Sequence, residues 1–130
     1  MKTSKREDYA IVLMTALASV EGYISLRSIA EKYQLPYPFM KQIANDLVNA
    51  ELLETKGGVA GGYKLSKSAD EISWRDVMVA VGGEPQFVEC LKRGKLCPVH
   101  HQCPAKVAWK DLHGAILESL DEIKLSKFLK

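Results

Sequence analysis

The chain has 130 residues, a formal net charge of +2 and 47% hydrophobic side chains, which is room for one compact domain, or for a small domain plus an association element. No run of about 18 apolar residues is present to cross a bilayer. Charge is evenly spread, with eight Lys/Arg against seven Asp/Glu in residues 1–66 and ten against nine in the rest, so bulk charge does not mark a nucleic-acid binder.

The opening "MKTSKREDYA" lacks the apolar run and cleavage site of a signal peptide, so a cytoplasmic protein is expected, with no membrane partner. Ser4 and Glu7 form an S-x-x-E capping box, in which side chain and backbone satisfy each other's orphan donors. Tyr9, Val12, Leu13, Ala16, Leu17 and Val20 follow at helical spacing, and Gly22 is expected to end the helix. Ser25 caps a short helix reaching about Tyr33, with Leu26, Ile29 and Ala30 inward. "QLPYP" breaks it, and Pro38 suits the first turn of the next helix. There Met40, Ile43, Leu47 and Val48 make the buried stripe, while Lys41, Gln42 and Asn45 point away. Two short helices joined by a tight turn form a helix-turn-helix.

"LLETKGGVAGGYKL" reads as a β-hairpin, with strands Leu52–Lys56 and Gly62–Leu65 around a loop holding Gly57, Gly58 and Gly61. A hairpin directly after a helix-turn-helix is a winged helix. Ser73 caps a further helix, "WRDVMVAV", closed by Gly82 and Gly83. After an irregular stretch, Pro104 opens a long helix in which Trp109, Leu112, Ile116, Leu120 and Ile123 recur at steps of three and four, the narrow seam of helix–helix pairing. The expected fold is therefore mostly α: a winged-helix domain over 1–83 with a two-stranded wing, a cysteine-rich loop over 84–103, and a dimerisation helix and tail over 104–130.

The stretch "CLKRGKLCPVHHQC" holds every cysteine, Cys90, Cys97 and Cys103, and two of the three histidines. Clustered thiols in a reducing compartment are more often metal ligands or redox groups than disulfides. Tight C-x2-C pairs, the habit of zinc sites, are absent. The wide spacing suits a loop that wraps something larger than one ion, and thiolates are the usual ligands of iron–sulfur clusters. Three unligated thiols, or a zinc site completed by His100 or His101, are the alternatives; His100 and His113 read as solvated residues. No Gly-rich nucleotide motif, nucleophile elbow or paired catalytic carboxylates point to an enzyme.

The segments "MKTSKREDYAIVLMTALA", "TKGGVAGGYKL", "ISWRDVMVAVGG" and "CLKRGKLCPVHHQC" occur in an order that resembles the IscR/NsrR/CymR type of bacterial winged-helix regulators, over essentially the whole chain. The resemblance implies a homodimeric transcription factor, usually a repressor, whose long C-terminal helices cross to form the dimer. It also implies a [2Fe–2S] or [4Fe–4S] cluster on three cysteines, matched here by Cys90, Cys97 and Cys103, with a cluster state that reports iron supply, oxidants or nitric oxide. The chain departs from that pattern in two places. The first cysteine gap is six residues where five is commoner. Lys106 stands where IscR-like members place a histidine ligand three residues after the last cysteine. NsrR-like members instead use an aspartate near the start of the first helix, from the partner subunit, and the matching residue is Asp8. Asp8 as a solvated acid favoured by the helix dipole is the alternative, with His101 the local competitor for the ligand role.

For DNA, the second helix of the motif is expected in the major groove. Tyr37, Lys41, Gln42 and Asn45 are its candidate readers of an operator, since Gln and Asn pair adenine edges and Lys reaches guanine or phosphate. Phe39 sits on the flank, to touch a thymine methyl or to pack. Lys56 matches the wing cation of the family it resembles, and the backbone at Gly57 and Gly58 lets the wing approach the minor groove. A winged-helix regulator without a cluster, controlled by thiol oxidation, a small effector or a partner protein, is the competing function.

Overall fold

A computed structural model describes residues 4–83, 99 and 102–129. Helix α1 (Lys5–Ala18) begins at the Ser4 cap, whose hydroxyl accepts from the Glu7 amide at 3.3 Å while the Glu7 carboxylate accepts from the Ser4 amide at 3.1 Å. Ala10, Leu13, Met14 and Leu17 are its buried residues. The expected stripe is thus rotated: Tyr9 and Ala16 are half-buried against the core, but Val12 is peripheral and Val20 is 47% exposed. For Val20 the cause is an early stop. The Ser19 amide caps the helix on Ala16 and Leu17 carbonyls, the Ser19 hydroxyl donates to the Thr15 carbonyl, and Val20 falls beyond the last turn. Gly22, at φ 78°, turns the chain outside the helix.

Helix α2 (Leu26–Lys32) starts at Ser25, whose hydroxyl accepts from the Ser28 amide, and buries Leu26, Ile29 and Ala30 as expected. Helix α3 (Tyr37–Asn49) carries Pro38 in its first turn, where a missing N–H costs nothing, and buries Met40, Ile43, Ala44 and Leu47, with Val48 packed at the edge. The wing is an antiparallel pair, β1 (Leu53–Lys56) and β2 (Gly62–Leu65), in the register Leu53↔Leu65 to Lys56↔Gly62. A bridge between Ile24 and Tyr63, with N···O distances of 3.0 and 2.9 Å, ties β2 to the turn before α2. Gly62 makes that approach possible: a Cβ there would lie 2.2 Å from the Ile24 carbonyl oxygen.

Helix α4 (Trp74–Gly82) opens with a second capping box, between buried Ser73 and Asp76, and buries Val77, Met78 and Val81. Helix α5 (Lys106–Glu122) buries no side chain; Trp109 is 37% and Leu112 45% exposed, while Ile116, Leu120 and Ile123 are half-buried. Its end is nevertheless anchored. The Trp74 amide donates to the Ile123 carbonyl at 2.8 Å and the Leu125 amide to the Ile72 carbonyl at 3.0 Å. Arg75 Nη1 meets Asp121 Oδ2 at 2.7 Å. In the 3-10 turn Leu125–Phe128, Leu125 is fully buried and the Phe128 ring stands edge-on to Trp74 at 5.3 Å. The segment read from sequence as a tail therefore supplies part of the winged-helix core.

Candidate nucleic-acid interface

A helix brings residues four apart onto one face. Tyr37, Lys41 and Asn45 accordingly form a row along α3, with Gln42 beside it; Lys41, Gln42 and Asn45 are exposed and Tyr37 is half-buried. The opposite side of α3 is the most tightly buried surface in the domain, with Met40, Ile43, Ala44 and Leu47 all at 0% exposure. The core thus fixes the rotation of α3 and decides which amides face outward.

One side chain from α1 also grips this helix. The Arg6 guanidinium pairs through Nη2 with the Asp46 carboxylate of α3, and its Nε donates to the Val81 carbonyl near the end of α4 at 3.0 Å. It also lies over the Phe39 ring, 5.9 Å from the centroid. Both charged partners are about a third exposed (32% and 36%), so water screens the pair and its main effect is on orientation. Phe39 meets Tyr9 edge-on at 5.6 Å and packs on the core, so of its two expected uses the geometry shows packing.

The wing carries Glu54, Lys56 and Lys64 on one face, since alternate residues of a strand share a side and Glu54 lies opposite Lys64. Tyr23 seats that face. Its hydroxyl donates to Glu54 Oε1 at 3.1 Å, and the Lys56 and Lys64 ammonium groups lie 5.6 and 5.0 Å from its ring centroid. Lys64 is also paired with Glu54 at 3.2 Å. Lys56, exposed and with no carboxylate partner among the described residues, keeps its charge available. Gly57 and Gly58 are open to solvent, Gly58 at φ 92°, with room for a Cβ at both, whereas a Cβ on Gly61 would meet the Lys56 carbonyl oxygen at 2.1 Å.

Of the expected cluster ligands, Cys90 and Cys97 lie outside the described residues, as do His100 and His101. Cys103 is half-buried just before α5. Asp8 is exposed on α1 and lines a cleft of about 380 Å³ with Glu7, Ile11 and Trp74; its carboxylate takes no hydrogen bond or ion pair among the described residues. Glu7, beyond its cap, reaches the end of α4, where a Cβ on Gly82 would come within 2.8 Å of its Oε1. The donor types suit an iron–sulfur cluster, a thiol together with an unengaged carboxylate, though among the described residues no three His, Cys, Asp or Glu side chains gather.

Sequence reasoning missed Arg6, Tyr23 and Gly62 as parts of this surface. Arg6 and Tyr23 act on partners 31 to 75 positions away, which local periodicity does not encode. Gly62 carried a usable signal, since two adjacent glycines before an aromatic strand suggest a close backbone approach. Among the described residues no helix is long and apolar enough to cross a membrane.

Comparison with known proteins agrees with this geometry. Residues 3–130 match the model of the Rrf2 family, described as iron-dependent transcriptional regulators. The HTH-type transcriptional regulator IscR of Erwinia tasmaniensis is 30% identical over 132 residues, covering 99% of this chain and 79% of the relative. Among solved structures, CymR, the global cysteine regulator of B. subtilis, superposes with a TM-score of 0.78 at 30% identity, covering 97% of this chain and 94% of that one. The oxidized form of Staphylococcus aureus CymR gives 0.75 at 34% identity, covering 96% and 93%.

Proposed function

Because this chain belongs to the Rrf2 family of transcriptional regulators, we propose that it is a homodimeric repressor whose hold on a double-stranded operator is set by an iron–sulfur cluster on Cys90, Cys97 and Cys103. DNA binding and the absence of an enzyme activity follow from the family and the winged-helix fold. The control by a cluster rests on one observation: every thiol of the chain falls in the single stretch joining α4 to α5. The iron-dependent description of the family and the unengaged Asp8 carboxylate, a hard ligand available to a partner subunit's cluster loop, support it.

A [2Fe–2S] or [4Fe–4S] group held there supplies a centre whose integrity depends on iron, oxidants and nitric oxide. The chain's own residues supply the rest. In sequence the cysteine stretch follows α4, whose end Arg6 holds from α1 through the Val81 carbonyl and Glu7 lies against at Gly82. Arg6 also holds Asp46 of α3, so a displacement of the α4 end reaches the recognition helix through one guanidinium. Lys41, Gln42 and Asn45 read the major groove, with Tyr37 at the head of their helix, while Lys56 and the Gly57–Gly58 backbone meet the minor-groove side; Phe39 supports this face from within.

The test is anaerobic purification with iron and sulfide analysis, a visible spectrum, and operator binding before and after removal of the iron. A coloured protein whose binding changes on stripping, and which loses its colour in Cys103→Ser, meets the proposal. Asp8→Ala with an unaltered spectrum and switching would remove Asp8 from the ligand set. A second reading, thiol switching without a cluster, is favoured by the likeness to an oxidized CymR. It predicts a colourless protein whose DNA binding changes with a disulfide-forming oxidant and recovers with a thiol reductant.

A further inference from the structure

Arg27 belongs to no part of the surface described above. It lies on α2, is exposed, and has no carboxylate partner among the described residues. It is not a loosely waving side chain, because its guanidinium carbon sits 4.2 Å from the centroid of the Tyr37 ring, the first residue of the recognition helix. At that separation an arginine stacks on the π face and is held by cation–π attraction, leaving the N–H edges of the guanidinium free. Those edges match the oxygens of a phosphate in a bidentate fork. In a helix-turn-helix the first helix crosses the DNA backbone while the second enters the groove. Arg27 is on that first helix, stacked on the first residue of the second.

We infer that Arg27 is a DNA-phosphate contact and that Tyr37 is its platform, a positioning residue that holds the guanidinium at the rim of the groove instead of reading a base. This rests on the DNA-binding reading of α3 and assigns a different role to one of its residues. Stacking lowers the conformational freedom that Arg27 would lose on binding, so the contact forms at less entropic cost than a free arginine's. A phosphate contact carries no base information, so it strengthens every sequence alike.

The experiment measures fluorescence anisotropy over a salt series with two duplexes: one of random sequence, and one enriched from a random pool by the wild-type chain. Arg27→Ala is expected to weaken binding roughly tenfold at low salt, the equivalent of a charge-assisted pair of hydrogen bonds. It should flatten the slope of log K against log salt by about 0.9 per subunit on both duplexes, with base preference unchanged. Tyr37→Phe keeps the ring and should match wild type; Tyr37→Leu removes it and should fall towards Arg27→Ala, with the double variant little worse than either. An unchanged salt slope in Arg27→Ala overturns the phosphate contact. Tyr37→Phe as weak as Tyr37→Leu overturns the platform, because the hydroxyl would then be bonding DNA. Helical circular dichroism checks each variant, and if Tyr37→Leu fails to fold, Arg27→Ala and Tyr37→Phe still decide. A wild-type chain that binds neither duplex would sink the reading of α3, and this inference with it.

Discussion

Replacing Leu125 with alanine tests whether the end of the chain is core or appendage. Leu125 is fully buried and held by the backbone bond from its amide to the Ile72 carbonyl. Truncating a wholly buried leucine costs about 2–5 kcal/mol, the spread depending on how far the site can collapse. Here Ile72 and Ser73 are buried and fixed by the Ser73↔Lys124 bridge, which limits collapse and favours the middle of that range, about 3 kcal/mol. With an unfolding entropy near 2.1 cal/mol/K per residue over a chain of this size, that corresponds to a fall in Tm of about 11 °C. Urea unfolding followed by circular dichroism, at one fixed protein concentration so that any self-association is held constant, should show a lower midpoint and an unchanged m-value. Phe128→Ala, at a site 46% exposed, should cost clearly less. A loss below about 1 kcal/mol for Leu125→Ala would mean that the last turn is not integral to the domain, and the core assignment would be wrong.

Two further outcomes follow from the wing and from α5. Gly62→Ala should be destabilising by at least about 1–3 kcal/mol, because its Cβ would collide with the Ile24 carbonyl from a φ of 147°, whereas Gly57→Ala, with open space around it, should stay within about 0.5 kcal/mol; thermal melts of the pair check the contrast. Leu112→Asp combined with Ile116→Asp should leave the single-chain fold intact, since neither residue is buried, and yield monomers in sedimentation equilibrium with lost operator binding; an unchanged dimer mass would refute the seam.

The caps, the turn prolines and the hairpin were legible because each is a short-range rule. Ser4 with Glu7, Ser25, Pro38 and Ser73 stand in the roles their spacing implies, and the two strands pair around the glycine loop with the first beginning at Leu53, one residue later than expected. The face of α1 was less legible. Its apolar residues run all round the helix, so periodicity could not choose between Ala10/Met14 and Val12/Val20; packing against α3 and α4 chose. Leu125 was missed for a different reason: a seven-residue tail is too short to show a period that sets Leu125 apart from Phe128 and Leu129, and only its pairing with a strand-like segment 53 positions earlier, at Ile72, makes it core. On the candidate DNA face, the polar residues of α3 could be read from their spacing. The aromatic seats under Arg27, Lys56 and Lys64 could not, because a cation and a ring at arbitrary separation leave no pattern in one dimension.

The division of α3 into a buried row and an exposed row has a consequence for re-engineering. Lys41, Gln42 and Asn45 are exposed and make no side-chain hydrogen bond or ion pair among the described residues, whereas Met40, Ile43, Ala44, Leu47 and Asp46 determine the helix's rotation. The three outward positions can therefore be exchanged as a cassette for those of a relative while the seating is left alone. Arg6 sets the terms of a larger transplant. It clasps a side chain on α3 but a backbone carbonyl on α4. A borrowed recognition helix must bring an acid at position 46, while the residue at position 81 is free of that requirement and answers only to the core.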